Sequence, residues 1–93
     1  MKNFCFYVRK ATKRGMDYTA VIYRIVKNKP EYVGTTSWNT ASYRGEVHEV
    51  YNALINFGYI PKKYYNSSVN AWRGAGYYAG IVIDKYNIQE LRG

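Results

Sequence analysis

Residues 42–61 read Ser42-Tyr43-Arg44-Gly45-Glu46-Val47-His48-Glu49-Val50-Tyr51-Asn52-Ala53-Leu54-Ile55-Asn56-Phe57-Gly58-Tyr59-Ile60-Pro61, and this stretch sets the fold class. Val47, Val50, Tyr51 and Leu54 fall at i, i+3, i+4 and i+7, one face of a 3.6-residue period. Glu46, Glu49, Asn52 and Asn56 lie off that face. Ser42 is placed to accept a first-turn amide as an N-cap, and Glu46 and Glu49 suit the positive end of the helix dipole. Gly58 is placed to end the helix in a left-handed conformation, and Pro61 prevents its resumption. An amphipathic helix of about four turns cannot bury its stripe alone, so it needs a sheet beneath it.

The flanking sequence supplies that sheet. Residues 3–10 alternate, with Phe4, Phe6 and Val8 on one side and Cys5, Tyr7 and Arg9 on the other. Residues 17–27 form a second strand, in which Val21, Tyr23 and Ile25 oppose Ala20, Ile22 and Arg24. Asn28-Lys29-Pro30 is read as the turn into a third strand over 31–37. Residues 59–80 carry little periodicity beyond a short helical turn at 68–73. A fourth strand follows over 77–84, then a last turn over 87–91. The expected fold is α+β: an antiparallel sheet of about four strands, in the order β-β-β-α-β, with one main amphipathic helix packed on one face. Residues 1–93 form a single domain in this reading, since no linker, repeat or low-complexity segment interrupts them.

A hydrophobic fraction of 47% excludes a disordered chain. The single cysteine, Cys5, excludes an internal disulfide and reads as a buried free thiol, which suits a reducing cytoplasm. Arg9 and Lys10 interrupt the N-terminal apolar run too early for a secretion signal, and no apolar run is long enough to span a membrane. A cytoplasmic protein is expected.

Ser42-Tyr43-Arg44-Gly45-Glu46, with Ala53-Leu54 after it, resembles the Ser-x-Arg-x-Glu and Ala-Leu pattern opening the first helix of ribonuclease H-like domains. The preceding β-β-β-α order agrees, as does the later strand Ile81-Val82-Ile83-Asp84. The resemblance implies two divalent metals held by a first-strand Asp, a helix Glu and a fourth-strand Asp. Glu46 and Asp84 would be the last two, but the first strand ends Tyr7-Val8-Arg9-Lys10 and carries no acid. The resemblance therefore implies a degenerate, non-cleaving copy. The chain also resembles in style the small Asn/Lys/Tyr-rich accessory proteins of phages and mobile elements, anti-CRISPR and anti-restriction proteins among them.

No catalytic constellation is complete. His48 and Glu49 are sequence neighbours and do not face each other on a helix, and one Cys with one His cannot build a zinc site. Gly74-Ala75-Gly76 matches a dinucleotide fingerprint in letters only, because a strand rather than a helix follows it. No cofactor and no metal are expected.

The basic residues speak louder. The net charge is +8, and residues 1–29 hold eight bases against one acid, Asp17. Arg9, Lys10, Lys13 and Arg14 are candidates for phosphate contacts, joined by Lys62, Lys63 and Arg73 in the later segment. Aromatic side chains interleave with the latter: Tyr64, Tyr65, Trp72, Tyr77 and Tyr78, a set suited to stacking bases or to a protein contact. The expected function is a small, basic, non-catalytic nucleic-acid-binding protein. The alternative is an inhibitor that docks onto an acidic surface of a host nucleoprotein defence complex, and a metal-dependent nuclease comes last. The oligomeric state is left open, with residues 3–9 read as an edge that can pair across a dimer.

Overall fold

The computed structural model describes residues 2–10, 18–39 and 45–82, the side chains of Lys2 and Lys10 excepted. Four strands, β1 (Lys2–Lys10), β2 (Tyr18–Val26), β3 (Lys29–Trp38) and β4 (Tyr77–Ile81), form one sheet in the order β3-β2-β1-β4. Two α-helices, α1 (Glu46–Asn56) and the short α2 (Val69–Gly74), precede β4, with a 3₁₀ turn at Lys62–Tyr64 between them. The α+β class, the β-β-β-α-β order and the main helix are as expected. Two corrections follow from β4. It pairs in parallel with β1, so the sheet is mixed: a single helical pass from the end of β3 returns the chain to the end where β3 began. And β1 is flanked by β2 and, over Lys2–Phe6, by β4, so that part of the expected edge is already paired.

β2 and β3 are joined by Lys27 and Asn28, both with positive φ (51° and 64°), the type I′ geometry whose twist matches that of paired strands. The turn thus comes one residue earlier than expected, and Lys29 and Pro30 belong to β3 opposite Val26 and Ile25. Val26 and Lys29 close the two-residue loop as a hydrogen-bonded pair, so the Pro30 nitrogen faces away from β2, where its missing N–H costs nothing. Further along, Ile22 pairs with Gly34 but Tyr23 pairs with Tyr32, leaving Val33 as an extra residue. This bulge inverts the side-chain parity of β3. Gly34 and Trp38 share the face of Ile22 and Tyr18, while Tyr32 turns to the opposite face beside Tyr23. At Gly34 a Cβ would lie 2.8 Å from the Phe57 ring, so only glycine seats the end of α1 this close to β3.

The core lies between α1 and one sheet face. Phe4, Phe6, Ala20, Ile22, Trp38 and Ala79 meet Val50, Tyr51, Ala53, Leu54 and Ile55, with Ile60 and Trp72 closing the side. Ala53 and Ile55 widen the buried stripe beyond the expected Val47, Val50, Tyr51 and Leu54. The helix starts later than expected: Gly45 is its N-cap, with φ 110° and no side-chain cap, and Ser42 lies outside the described residues. Its end is as expected. Gly58 adopts φ 90°, and the Tyr59 and Gly58 amides donate to the Leu54 and Ile55 carbonyls at 2.9 and 3.0 Å, a Schellman motif. The short helix is α2, where Ser68 Oγ accepts from the Ala71 amide at 3.1 Å. Residues 83–84 of the expected fourth strand and the expected turn at 87–91 lie outside the described residues.

The Val82 amide donates to the Phe6 carbonyl at 2.8 Å, so Tyr78, Gly80 and Val82 direct their backbone groups to β1. Tyr77 and Ala79 direct theirs away. There the Tyr51 hydroxyl accepts from the Ala79 amide at 2.9 Å and donates to the Tyr77 carbonyl at 3.1 Å. Tyr51→Phe leaves a buried amide without its acceptor, and a loss of about 1–3 kcal/mol is expected. Chemical denaturation should show a lower midpoint, and amide exchange at Ala79 should accelerate more than exchange in β2.

Candidate nucleic-acid interface

Residues 59–80, the least readable in the sequence, are an ordered bracket across the start of β4. Asn52 on α1 holds it at one point: its Nδ2 donates to Asn66 Oδ1, and its Oδ1 accepts from the Asn66 amide, both at 3.2 Å. Trp72 holds it at another. Its indole is fully buried, lies over the Tyr51 ring with centroids 4.4 Å apart, and donates through Nε1 to the Tyr64 carbonyl at 2.8 Å. Trp72 therefore presents no face to a partner; it pins α2 and the 3₁₀ turn to the core. Half-buried His48 packs its ring edge-on against the same indole, at 5.1 Å.

The bracket divides the remaining candidates. Tyr64 and Tyr77 are half-buried, pack on the core and meet each other at 6.0 Å, which ties the 3₁₀ turn to β4. Tyr65 and Tyr78 are exposed, by 52% and 43%, and so have ring surface to offer. Lys62, Lys63 and Arg73 are exposed as well. Lys63 Nζ lies 5.2 Å from the Tyr64 ring centre, and the Arg73 guanidinium 5.0 Å from that of Tyr78. The exposed side of the bracket, its ledge, thus carries Lys62, Lys63 and Tyr65 at the 3₁₀ turn, and Arg73 against Tyr78 where α2 leads into β4.

The N-terminal bases do not join this ledge. Arg9 is exposed near the far end of β1, six residues beyond the Asn3 that pairs with Tyr78, or about 20 Å at 3.3 Å per residue. Lys10 ends the same strand, while Lys13 and Arg14 lie outside the described residues. Arg24 is engaged elsewhere. It donates to Glu31 at 2.6 Å, a bond that raises its affinity for the proton, and lies over Tyr59 at 5.7 Å.

The face of the sheet turned away from α1 carries aromatics that the sequence reading left out of the site. Tyr7 and Tyr23 stack at 6.4 Å, and Tyr32, brought round by the bulge, meets Tyr23 edge-on at 5.8 Å. The alternation of Cys5-Tyr7-Arg9 against Phe4-Phe6-Val8 already placed Tyr7 on that face; the bulge that delivers Tyr32 has no comparable signal. Burial, then the neighbouring Tyr7 hydroxyl, pushes the Tyr23 phenol up. The described carboxylates are not on that face: Glu31 of β3 pairs with Arg24 on the side towards α1, and Glu46 and Glu49 occupy the first turn of α1.

Among the described residues no three His, Cys, Asp or Glu side chains gather to hold a metal, and Asp84 lies outside them. No described helix is long and apolar enough to cross a membrane. Comparison with known proteins finds no family model, curated protein or solved structure that matches the chain.

Cys5 is buried, and burial pushes its thiol up to about 11. A thiol reagent at pH 8 should therefore label the native protein far more slowly than the unfolded one. Because the folded pKa is raised, this group's contribution to stability is fully present below pH 9 and is lost as pH rises through about 11. Denaturation midpoints measured across that window, against Cys5→Ala, should isolate the loss.

Proposed function

We propose that the protein is a small, basic, non-catalytic nucleic-acid-binding protein of the phage or mobile-element accessory type, acting in a reducing cytoplasm. The ledge carries this reading: exposed Lys62 and Lys63 lie close in the chain to exposed Tyr65, and the exposed Arg73 lies over the exposed Tyr78 ring. Phosphates neutralised by the three bases release counterions, and the two rings supply sequence-tolerant stacking. Arg9 and Lys10, near the end of β1 and about 20 Å along it from the Tyr78 end, form a second basic group, and Lys13 and Arg14 follow them in sequence.

The degenerate ribonuclease H-like reading is part of the same proposal at the level of the fold. The β-β-β-α-β order supports it, as does β4 lying beside β1 with α1 packed across the sheet, since residues from those three elements converge there. In this chain the first strand brings Arg9 and Lys10 rather than an acid, and their charge opposes a pair of divalent ions. Phosphodiester cleavage is accordingly placed last.

The inhibitor alternative rests on Tyr65 and Tyr78 beside Arg73, residue types that dominate protein–protein hot spots. Burial of Trp72 removes the anchor that reading leaned on most.

Anisotropy titrations against labelled duplex DNA, single strands, RNA and a hybrid test the proposal. The affinity should fall with salt along a log–log slope of about −3 to −5, equivalent to roughly four to six neutralised phosphates. Replacing Lys62, Lys63 and Arg73 together by Gln should flatten that slope by about 2–3 units. Absence of binding to every probe at low salt would sink the proposal and leave the protein-partner reading.

A further inference from the structure

Behind the ledge, on the sheet face turned away from α1, lies a groove of about 670 Å³, lined by Asn3, Cys5, Ile25, Tyr78, Gly80 and Val82 among others. Its size falls in the range of small-ligand clefts, about 300–1,000 Å³. Parity explains how it forms. Tyr78, Gly80 and Val82 alternate with the core-facing Tyr77 and Ala79, and they pair with Asn3 and Cys5 of β1. The Tyr78 ring leans over Gly80, where a Cβ would come within 3.2 Å of it, so the missing side chain is what lets the ring lie along the groove.

We propose that this groove takes an unpaired nucleobase, so that the protein prefers single-stranded nucleic acid; the inference rests on the nucleic-acid reading above. Tyr78 is shared by ledge and groove. Its ring is 43% exposed and carries the Arg73 guanidinium 5.0 Å from its centre. A phosphate held by Arg73 therefore lies at the groove's rim, within reach for its base to turn in. The walls are apolar where a base presents its faces, and the Asn3 amide offers a donor and an acceptor to a base edge. Among the described residues, none that lines the groove is a carboxylate. Duplex DNA cannot use the groove without first unpairing, which costs a few kcal/mol.

A short oligothymidylate carrying one 5-iodouracil, irradiated on the protein and mapped by peptide mass spectrometry, tests the assignment alongside anisotropy. The cross-link is expected on Tyr78. Tyr78→Ala should lower the ratio of single-strand to duplex affinity about ten-fold, and Tyr78→Phe should restore most of it. Gly80→Val, which crowds the Tyr78 ring out of its place, should lower the same ratio by five-fold or more. Binding that persists with cross-links confined to Tyr65, or with a ratio unmoved by Tyr78→Ala and Gly80→Val, would overturn the groove while leaving the ledge intact. Failure to bind any nucleic acid at low salt would overturn both.

Discussion

The Tyr51 hydroxyl lies between the Ala79 amide and the Tyr77 carbonyl, and the Tyr51 ring lies flat against Trp72. One side chain of α1 thus serves both the sheet and the bracket. Strand β4 is only five residues long and has a neighbouring strand on one side, so half of its backbone groups look away from β1. A phenol hydroxyl, which can donate and accept at once, satisfies two of them. The indole stacked above it then carries a second constraint outward, since Trp72 Nε1 holds the Tyr64 carbonyl and with it the 3₁₀ turn. The positions of Lys62, Lys63 and Arg73 depend on this chain of contacts. Exposed basic side chains contribute no such order themselves, because exposed charge–charge contacts are weak and long side chains resist fixing.

A second constraint acts at the opposite edge. The extra residue Val33 and the missing side chain of Gly34 work as a pair. Glycine lets Phe57 close down on the backbone, which fixes the exit of α1. The bulge then changes which residues of β3 face the helix, so Tyr32 joins Tyr7 and Tyr23 instead of the core. A regular strand would have put the Tyr32 ring under α1.

This contrast shows what the sequence makes legible. Strong periods were readable: the helix face around Val50, Tyr51 and Leu54, the alternation of Phe4 and Phe6 against Cys5 and Tyr7, and the Gly58 stop. Each is a local rule in which neighbouring residues cooperate. The direction of β4 was not readable, because strand pairing is decided by where the crossover delivers the chain, and Ile81-Val82 would suit either direction. Trp72 was misassigned for a similar reason. Tryptophan suits an interface and a core equally well, and only the position of Tyr51, 21 residues earlier in the chain, decides between them. In the candidate site, charge was legible and grouping was not. Arg73 reaches Tyr78 only because the bracket folds, whereas Arg9, in the most basic stretch of the chain, ends up about 20 Å from that point by strand rise.

Local roles account for the described acids. Glu46 and Glu49 sit where the α1 dipole favours them, and Glu31 is held by Arg24, so the described acids are occupied on the helix side of the sheet. Among the described residues, Lys62, Lys63 and Arg73 of the bracket have no acidic partner, although the bracket packs on the same side of the sheet as α1. An excess of +8 on a chain of 93 residues opposes compaction unless the like charges are spread or neutralised by a partner. Spreading is part of the answer here, since Arg9 lies about 20 Å along β1 from the Tyr78 that Arg73 covers.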